Sequence, residues 1–189
     1  MLEQLLQHDK ELFVILNNLG SEPWDGFWMF LTNKFTSIPL YLLLMYISFK
    51  QWGHKKTLLL ILFVILMITS TNGLADFFKY GVQRLRPCHD NSVNELMRLV
   101  KDSCGGKYGY FSAHAGNTMA VATFFSILLK EKFRHVGILL LVWALLIAYS
   151  RIYIGVHFPF DVFSGMVIGL LFGWLFAKLF IFALPKIRL

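Results

Sequence analysis

Three groups of polar side chains interrupt an otherwise apolar chain: Lys79 with Arg86 and Pro87, Ser112 with His114, and Ser150 and Arg151 followed by His157 and Asp161. Their types suit phosphoryl chemistry. Arginine offers a phosphate a planar fork and lysine a point charge. An imidazole, titrating near neutrality, can attack phosphorus or carry a proton. A helix starting at Ser112 would add free backbone N–H groups and a positive dipole end. Each group also has a plainer reading. Lys79 and Arg86 could be snorkelling anchors, Ser112 an N-cap, His114 a hydrogen-bonded interfacial histidine, and His157 with Asp161 a polar contact beside the helix start that Pro159 favours. What favours the joint reading is their convergence. Three cations, two imidazoles and a carboxylate at one membrane face are costly to desolvate unless an anion sits among them.

The elements that must position these groups are membrane spans. The chain has 189 residues, 57% hydrophobic and only 15% charged, against about 25% charged in an average soluble domain. Apolar runs predict five spans, at 25–48, 57–78, 112–130, 136–153 and 160–183, in an all-α polytopic bundle forming one domain over residues 1–189. Residues 1–20 show no signal-peptide pattern. Leu2, Leu5, Leu6, Leu12, Phe13 and Leu16, with charges between them, predict an amphipathic interfacial helix there. Lys50, Lys55 and Lys56, Lys130, Lys132 and Arg134, and Lys186 and Arg188 mark cytoplasmic segments by the positive-inside rule. The polar loop over 79–111 then lies outside, and all three groups emerge on that side. The formal charge of +7 comes without a long basic run or an RNA-reading aromatic motif, so no nucleic acid is expected as a partner.

Lys79-x6-Arg86-Pro87, Ser112-Ala113-His114 and Ser150-Arg151-x5-His157-x3-Asp161 resemble the three signature motifs of the type 2 phosphatidic acid phosphatases, which share a superfamily with vanadium haloperoxidases. The resemblance covers roughly residues 57 to 175. The middle motif of that family usually reads Pro-Ser-Gly-His; here Phe111 and Ala113 stand in place of Pro and Gly. Alanine lacks glycine's access to positive φ, so the backbone at 113 is expected near helical, with its N–H still available. The resemblance implies that His157 is the nucleophile, oriented by Asp161, and that a phosphohistidine forms. It implies that His114 protonates the leaving lipid oxygen and later activates water. Lys79, Arg86, Ser112, the Ala113 amide and Arg151 would hold the phosphoryl oxygens. Neither a cofactor nor a metal is implied.

The expected partners are therefore the bilayer and a phosphorylated lipid, met at the outer, periplasmic face of a bacterial inner membrane. Undecaprenyl diphosphate ranks first, followed by lipid A, phosphatidylglycerophosphate and phosphatidate. A haloperoxidase is disfavoured by membrane embedding, and a transporter or lipid binder by the absence of repeated, broken spans. Cys88 and Cys104, both in the 79–111 loop, read either as two thiols or as a disulfide, which an oxidising compartment would favour. No further Cys or His ligands suggest zinc.

Overall fold

A computed structural model describes residues 1–186, so the expectation for Arg188 lies outside the described residues. The elements are α1 (Leu2–Asn18), α2 (Glu22–Thr32), α3 (Ile38–Val82), α4 (Ala113–Leu129), α5 (Val136–Tyr153) and α6 (Pro159–Ala183), with short 3-10 turns at Pro87–His89 and Leu184–Lys186. Among the described residues there is no strand. The chain is an all-helical membrane bundle.

The expected first span over 25–48 is corrected by the structure. Helix α2 stops at Thr32 because Asn33 turns the chain: its side-chain oxygen accepts the Phe35 N–H at 3.0 Å and its carbonyl accepts the Thr36 hydroxyl at 2.7 Å. Such local polar bonds compete with helical ones, and an apolar window registers composition rather than that competition. The first crossing instead begins at Ile38. Gly53, at φ 75° and ψ 178°, then folds α3 back on itself, a conformation open to glycine at little cost. Tyr41 and Asn72 line one cavity, whereas on a straight helix rising 1.5 Å per residue they would stand about 47 Å apart. Trp52 and Phe63, one from each arm, both pack edge-on against Phe180, at ring-centroid distances of 5.8 and 5.7 Å.

The two arms of α3 with α4, α5 and α6 make the five crossings. Helices α3, α5 and α6 each hold a stretch of mean hydropathy between 2.0 and 2.3, and α4 is a shorter apolar helix. Outward-facing Leu58, Leu62, Ile138, Leu139, Leu170 and Leu171 give the bundle an apolar exterior suited to acyl chains. Helix α4 is different: Ala115, Met119, Ala122, Phe125 and Leu129 are all buried. It runs through the centre, against α6, and thereby carries its first turn into the middle of one end of the bundle.

Helix α1 forms as expected and packs against that same end. Its buried residues are Asp9, Phe13 and Asn17, two of them polar. Asn17 donates from Nδ2 to the carbonyls of Arg98, Ile152 and Tyr153 at 3.1, 3.0 and 2.8 Å and accepts the Arg98 N–H at 2.7 Å. Those bonds reach the Tyr153 carbonyl at the end of α5 and add a second donor to the Ile152 carbonyl, which also accepts the Gly155 N–H at 3.0 Å. They also tie α1 to the long loop.

Candidate active site

One open cavity of about 570 Å³ gathers Lys79 and Arg86, Ala113 and His114 from the first turn of α4, and Arg151 and His157 from either side of the α5–α6 turn. Lys34, from the α2–α3 turn, and Lys101, from the long loop, join them. Five cationic side chains therefore face one space, and no carboxylate lines it among the described residues. Gly155, at φ 83°, makes the tight turn that carries the chain from Arg151 to His157. A Cβ at 155 would also press within 2.7 Å of the Arg98 carbonyl.

Ser112 and Asp161 sit behind that lining. The Ser112 N–H donates to the Asp161 carbonyl at 2.9 Å, which fixes the start of α4 against the first turn of α6. Ser112 holds the N-cap position, yet its side chain makes no capping bond, and its hydroxyl is buried without a partner. The expected capping role is thus not taken up, and the hydroxyl is left free for a ligand. Ala113 is the first helical residue. Arg151 is buried and donates from Nη1 to the Thr32 hydroxyl, leaving its Nε without a partner.

His157 Nδ1 lies 3.6 Å from Asp161 Oδ2, beyond hydrogen-bond reach, and has no partner. The Asp161 carboxylate instead accepts the Phe158 N–H at 3.1 Å and Arg84 Nη1 at 2.9 Å. Burial, and then the nearby charges of Arg151, Arg86 and Lys79, push the His157 imidazole well below its ordinary pKa. It is therefore neutral at physiological pH, with a lone pair available for attack. Lys79 Nζ is 2.9 Å from Asp76 Oδ1, one turn earlier on α3.

This constellation has counterparts. The PAP2 superfamily profile matches residues 57–183. The chain belongs to the PAP2 superfamily. A lipid A 4'-phosphatase of Bacteroides thetaiotaomicron is 33% identical, over 93% of this chain and 78% of its own. An undecaprenyl-diphosphatase of Sulfolobus acidocaldarius is 32% identical, over 88% of this chain and 76% of its own. A crystal structure of a transmembrane PAP2-type phosphatidylglycerolphosphate phosphatase from Bacillus subtilis superposes with a TM-score of 0.73 over 98% of this chain and 88% of that one; at 22% identity it speaks for the fold. This PAP2 member is accordingly an integral-membrane lipid phosphatase.

Asp9, Thr32 and Lys34 of the PAP2 site escaped sequence reasoning, while Arg84 and Lys101 stand in the sequence as basic residues of the polar loop that suit an anionic ligand, with no individual role assigned. Lys34 had a usable signal, because an ionisable residue inside an expected span marks function or a wrong span. Asp9 had none, since a charge on an amphipathic helix reads as its solvated face.

The loop that supplies Arg86 is braced rather than loose. Arg86 N–H donates to the Lys107 carbonyl at 3.1 Å, Nε to the Tyr108 carbonyl at 3.2 Å and Nη1 to the Cys104 carbonyl at 2.7 Å. Cys88 and Cys104 are joined, with their Cα atoms 6.3 Å apart. In the chain-entropy model a loop of this size restrains the unfolded chain by about 3 kcal/mol. Peptide mapping of unreduced protein is expected to recover the linked pair. Reduction is expected to raise KM several-fold, because the Cys104 carbonyl no longer holds Arg86. Two freely alkylated thiols in unreduced protein would dispose of both expectations.

Proposed function

We propose that the chain releases phosphate from the head of a membrane lipid carrying a second anionic group, through a phosphohistidine on His157, at the outer face of a bacterial inner membrane. The observation that carries this reading is the cavity itself, in which two histidines face five cations with no acidic lining residue. His157 attacks phosphorus as the neutral imidazole while the bond to the lipid-side oxygen breaks, and His114, protonated once the negative charge of the bound phosphate offsets the cavity cations, gives that oxygen its proton. Asp161 closes the 3.6 Å gap to stabilise the imidazolium, as catalytic hydrogen bonds often tighten with substrate bound. Water, deprotonated by His114, then attacks the phosphohistidine and frees phosphate. Lys79, Arg86, Arg151, the Ser112 hydroxyl and the Ala113 N–H surround the three transferring oxygens. A hard divalent cation wants carboxylate oxygens, which this lining does not provide, and the scheme needs none.

Lys34 and Lys101 have no acidic partner among the described residues and suit a second anion beside the reacting phosphate. Undecaprenyl diphosphate, phosphatidylglycerophosphate and lipid A each carry a second phosphate, set farther from the first in lipid A; phosphatidate carries none. The lipid A 4'-phosphatase relative, which aligns over 93% of this chain, moves lipid A ahead of undecaprenyl diphosphate. Phosphate release in detergent, with each lipid in turn, is the test. The three lipids with a second phosphate are expected to exceed phosphatidate in kcat/KM by at least about tenfold, equivalent to about 1.4 kcal/mol of transition-state binding. Activity is expected to persist in chelator and to fall with orthovanadate. A preference for phosphatidate would remove the second-anion reading, and a strict magnesium requirement the metal-free one.

Orientation follows from the basic residues around Gly53 and in the α4–α5 turn, which lie at the end away from the cavity. In intact cells an impermeant thiol reagent is expected to label Asn94→Cys and to spare Lys55→Cys. The reverse pattern would place the chemistry on the cytoplasmic side.

A further inference from the structure

Arg84 is the residue through which α1 reaches the reacting centre. One guanidinium nitrogen, Nη1, donates to Asp161 Oδ1 at 2.9 Å, and the other, Nη2, donates to Asp9 Oδ2. The second Asp9 oxygen accepts the Phe160 N–H, in the first turn of α6, at 2.9 Å. The guanidinium carbon lies 4.4 Å from the centroid of the Phe158 ring, and Phe13 of α1 packs edge-on against the other partner of that stack, with ring centroids 5.2 Å apart. Both carboxylates are buried, with exposures of 1% for Asp9 and 0% for Asp161.

The charge balance gives this arrangement its meaning. With Arg84 alone, Asp161 would be neutralised by a full positive charge at hydrogen-bond distance, and little field would remain to stabilise an imidazolium at His157. Asp9 adds a second negative charge on the same guanidinium. The trio then carries one net negative charge, buried beside His157 and largely unscreened. Asp9 also competes for the guanidinium, which weakens its hold on Asp161 and lets that carboxylate swing toward Nδ1.

We propose that Asp9 is a positioning residue for the phosphoryl-transfer step: by sharing Arg84 with Asp161 and holding the start of α6, it keeps a net negative charge directed at His157. The inference rests on His157 being the nucleophile. It assigns to the N-terminal helix a part in the chemistry from which it is separated by most of the chain.

Asp9→Asn is the variant to make, because an amide oxygen still accepts the Phe160 N–H while the charge is lost. Three quantities are read: the single-turnover rate of phosphoenzyme formation from p-nitrophenyl phosphate, the affinity for inorganic phosphate, and the melting temperature in detergent. Asp9→Asn is expected to slow phosphoenzyme formation by about 10- to 100-fold, the size of effect seen where outer partners orient a ligating histidine, with the affinity for inorganic phosphate changed less than about threefold because the cavity cations are untouched. Asp9→Glu is expected to recover part of the rate. On an Asp161→Asn background, Asp9→Asn is expected to add little, since the two then act through one carboxylate.

A wild-type rate for Asp9→Asn, or a full second loss on the Asp161→Asn background, would overturn the proposal. So would a loss of phosphate affinity and melting temperature in proportion to the rate, which would mark Asp9 as structural only. Failure of the underlying reading has its own signature, since a His157→Ala protein that still forms phosphoenzyme would remove the nucleophile whatever Asp9 does.

Discussion

Replacing His114 by alanine is expected to abolish turnover of the lipid substrate while allowing phosphoenzyme to accumulate from p-nitrophenyl phosphate. A lipid alkoxide or sugar oxygen is a poor leaving group and needs a proton, whereas p-nitrophenolate departs without one. General acid catalysis contributes about 10²- to 10⁴-fold where it is needed, so the loss with lipid is of that order and the loss with the activated ester small. The phosphohistidine then persists because the same imidazole is missing for water activation. His157→Ala is expected to form no adduct from either compound. Its buried, neutral imidazole lines the cavity beside Arg151. Rapid quench with detection of acid-labile, base-stable phosphate reads both variants. Adduct on the His157 variant, or none on the His114 variant, would require the two roles to be exchanged or abandoned.

That much of the site was legible in the sequence because its chemistry is carried by residue types that an apolar chain otherwise excludes. Lys79, Arg86, His114, Arg151 and His157 stand at helix ends, and counting crossings sufficed to bring them to one face. They do line one cavity. What the sequence concealed acts through tertiary contact. Arg84 is two residues from Arg86, yet it points the other way, into Asp9 and Asp161. Asp9 and Asn17 occupy the buried stripe of α1, where periodicity assigns apolar side chains, because their partners are backbone groups and a guanidinium drawn from 75 to 151 residues away in sequence. The displaced first crossing has a similar origin: Asn33 and Thr36 redirect the backbone by bonds that hydropathy does not weigh. The bend at Gly53 was visible only as a basic break between apolar runs.

The second large effect is expected from glycines that touch no substrate. Gly165, Gly169 and Gly173 form a stripe along α6 where α4 lies at backbone contact. A Cβ at 165 would stand 2.5 Å from the Ser112 carbonyl oxygen and one at 173 would stand 2.5 Å from the Ala120 carbonyl oxygen, while one at 169 would overlap the Gly116 carbonyl. Small residues at such positions let membrane helices approach closely where no hydrophobic gain between them is available. The obstructing atoms are backbone, so alanine cannot be accommodated by a rotamer change and α4 must move. Overpacking of this kind costs about 1–3 kcal/mol, and all three alanine variants are expected to melt earlier in detergent. Gly165→Ala carries a further consequence, because the Ser112 N–H to Asp161 carbonyl bond of 2.9 Å sets the start of α4, with Ala113 and His114, against the helix that follows His157. A displacement of roughly 1 Å there is expected to cost about 10² in kcat, mostly independent of the leaving group, which separates it from loss of the acid. Gly73→Ala is the control: its Cβ meets nothing within 4 Å, and alanine in a helix interior is favoured by up to about 1 kcal/mol. Equal melting temperatures and equal rates for Gly165→Ala and Gly73→Ala would show that the close approach of α4 and α6 does not set the geometry of the site.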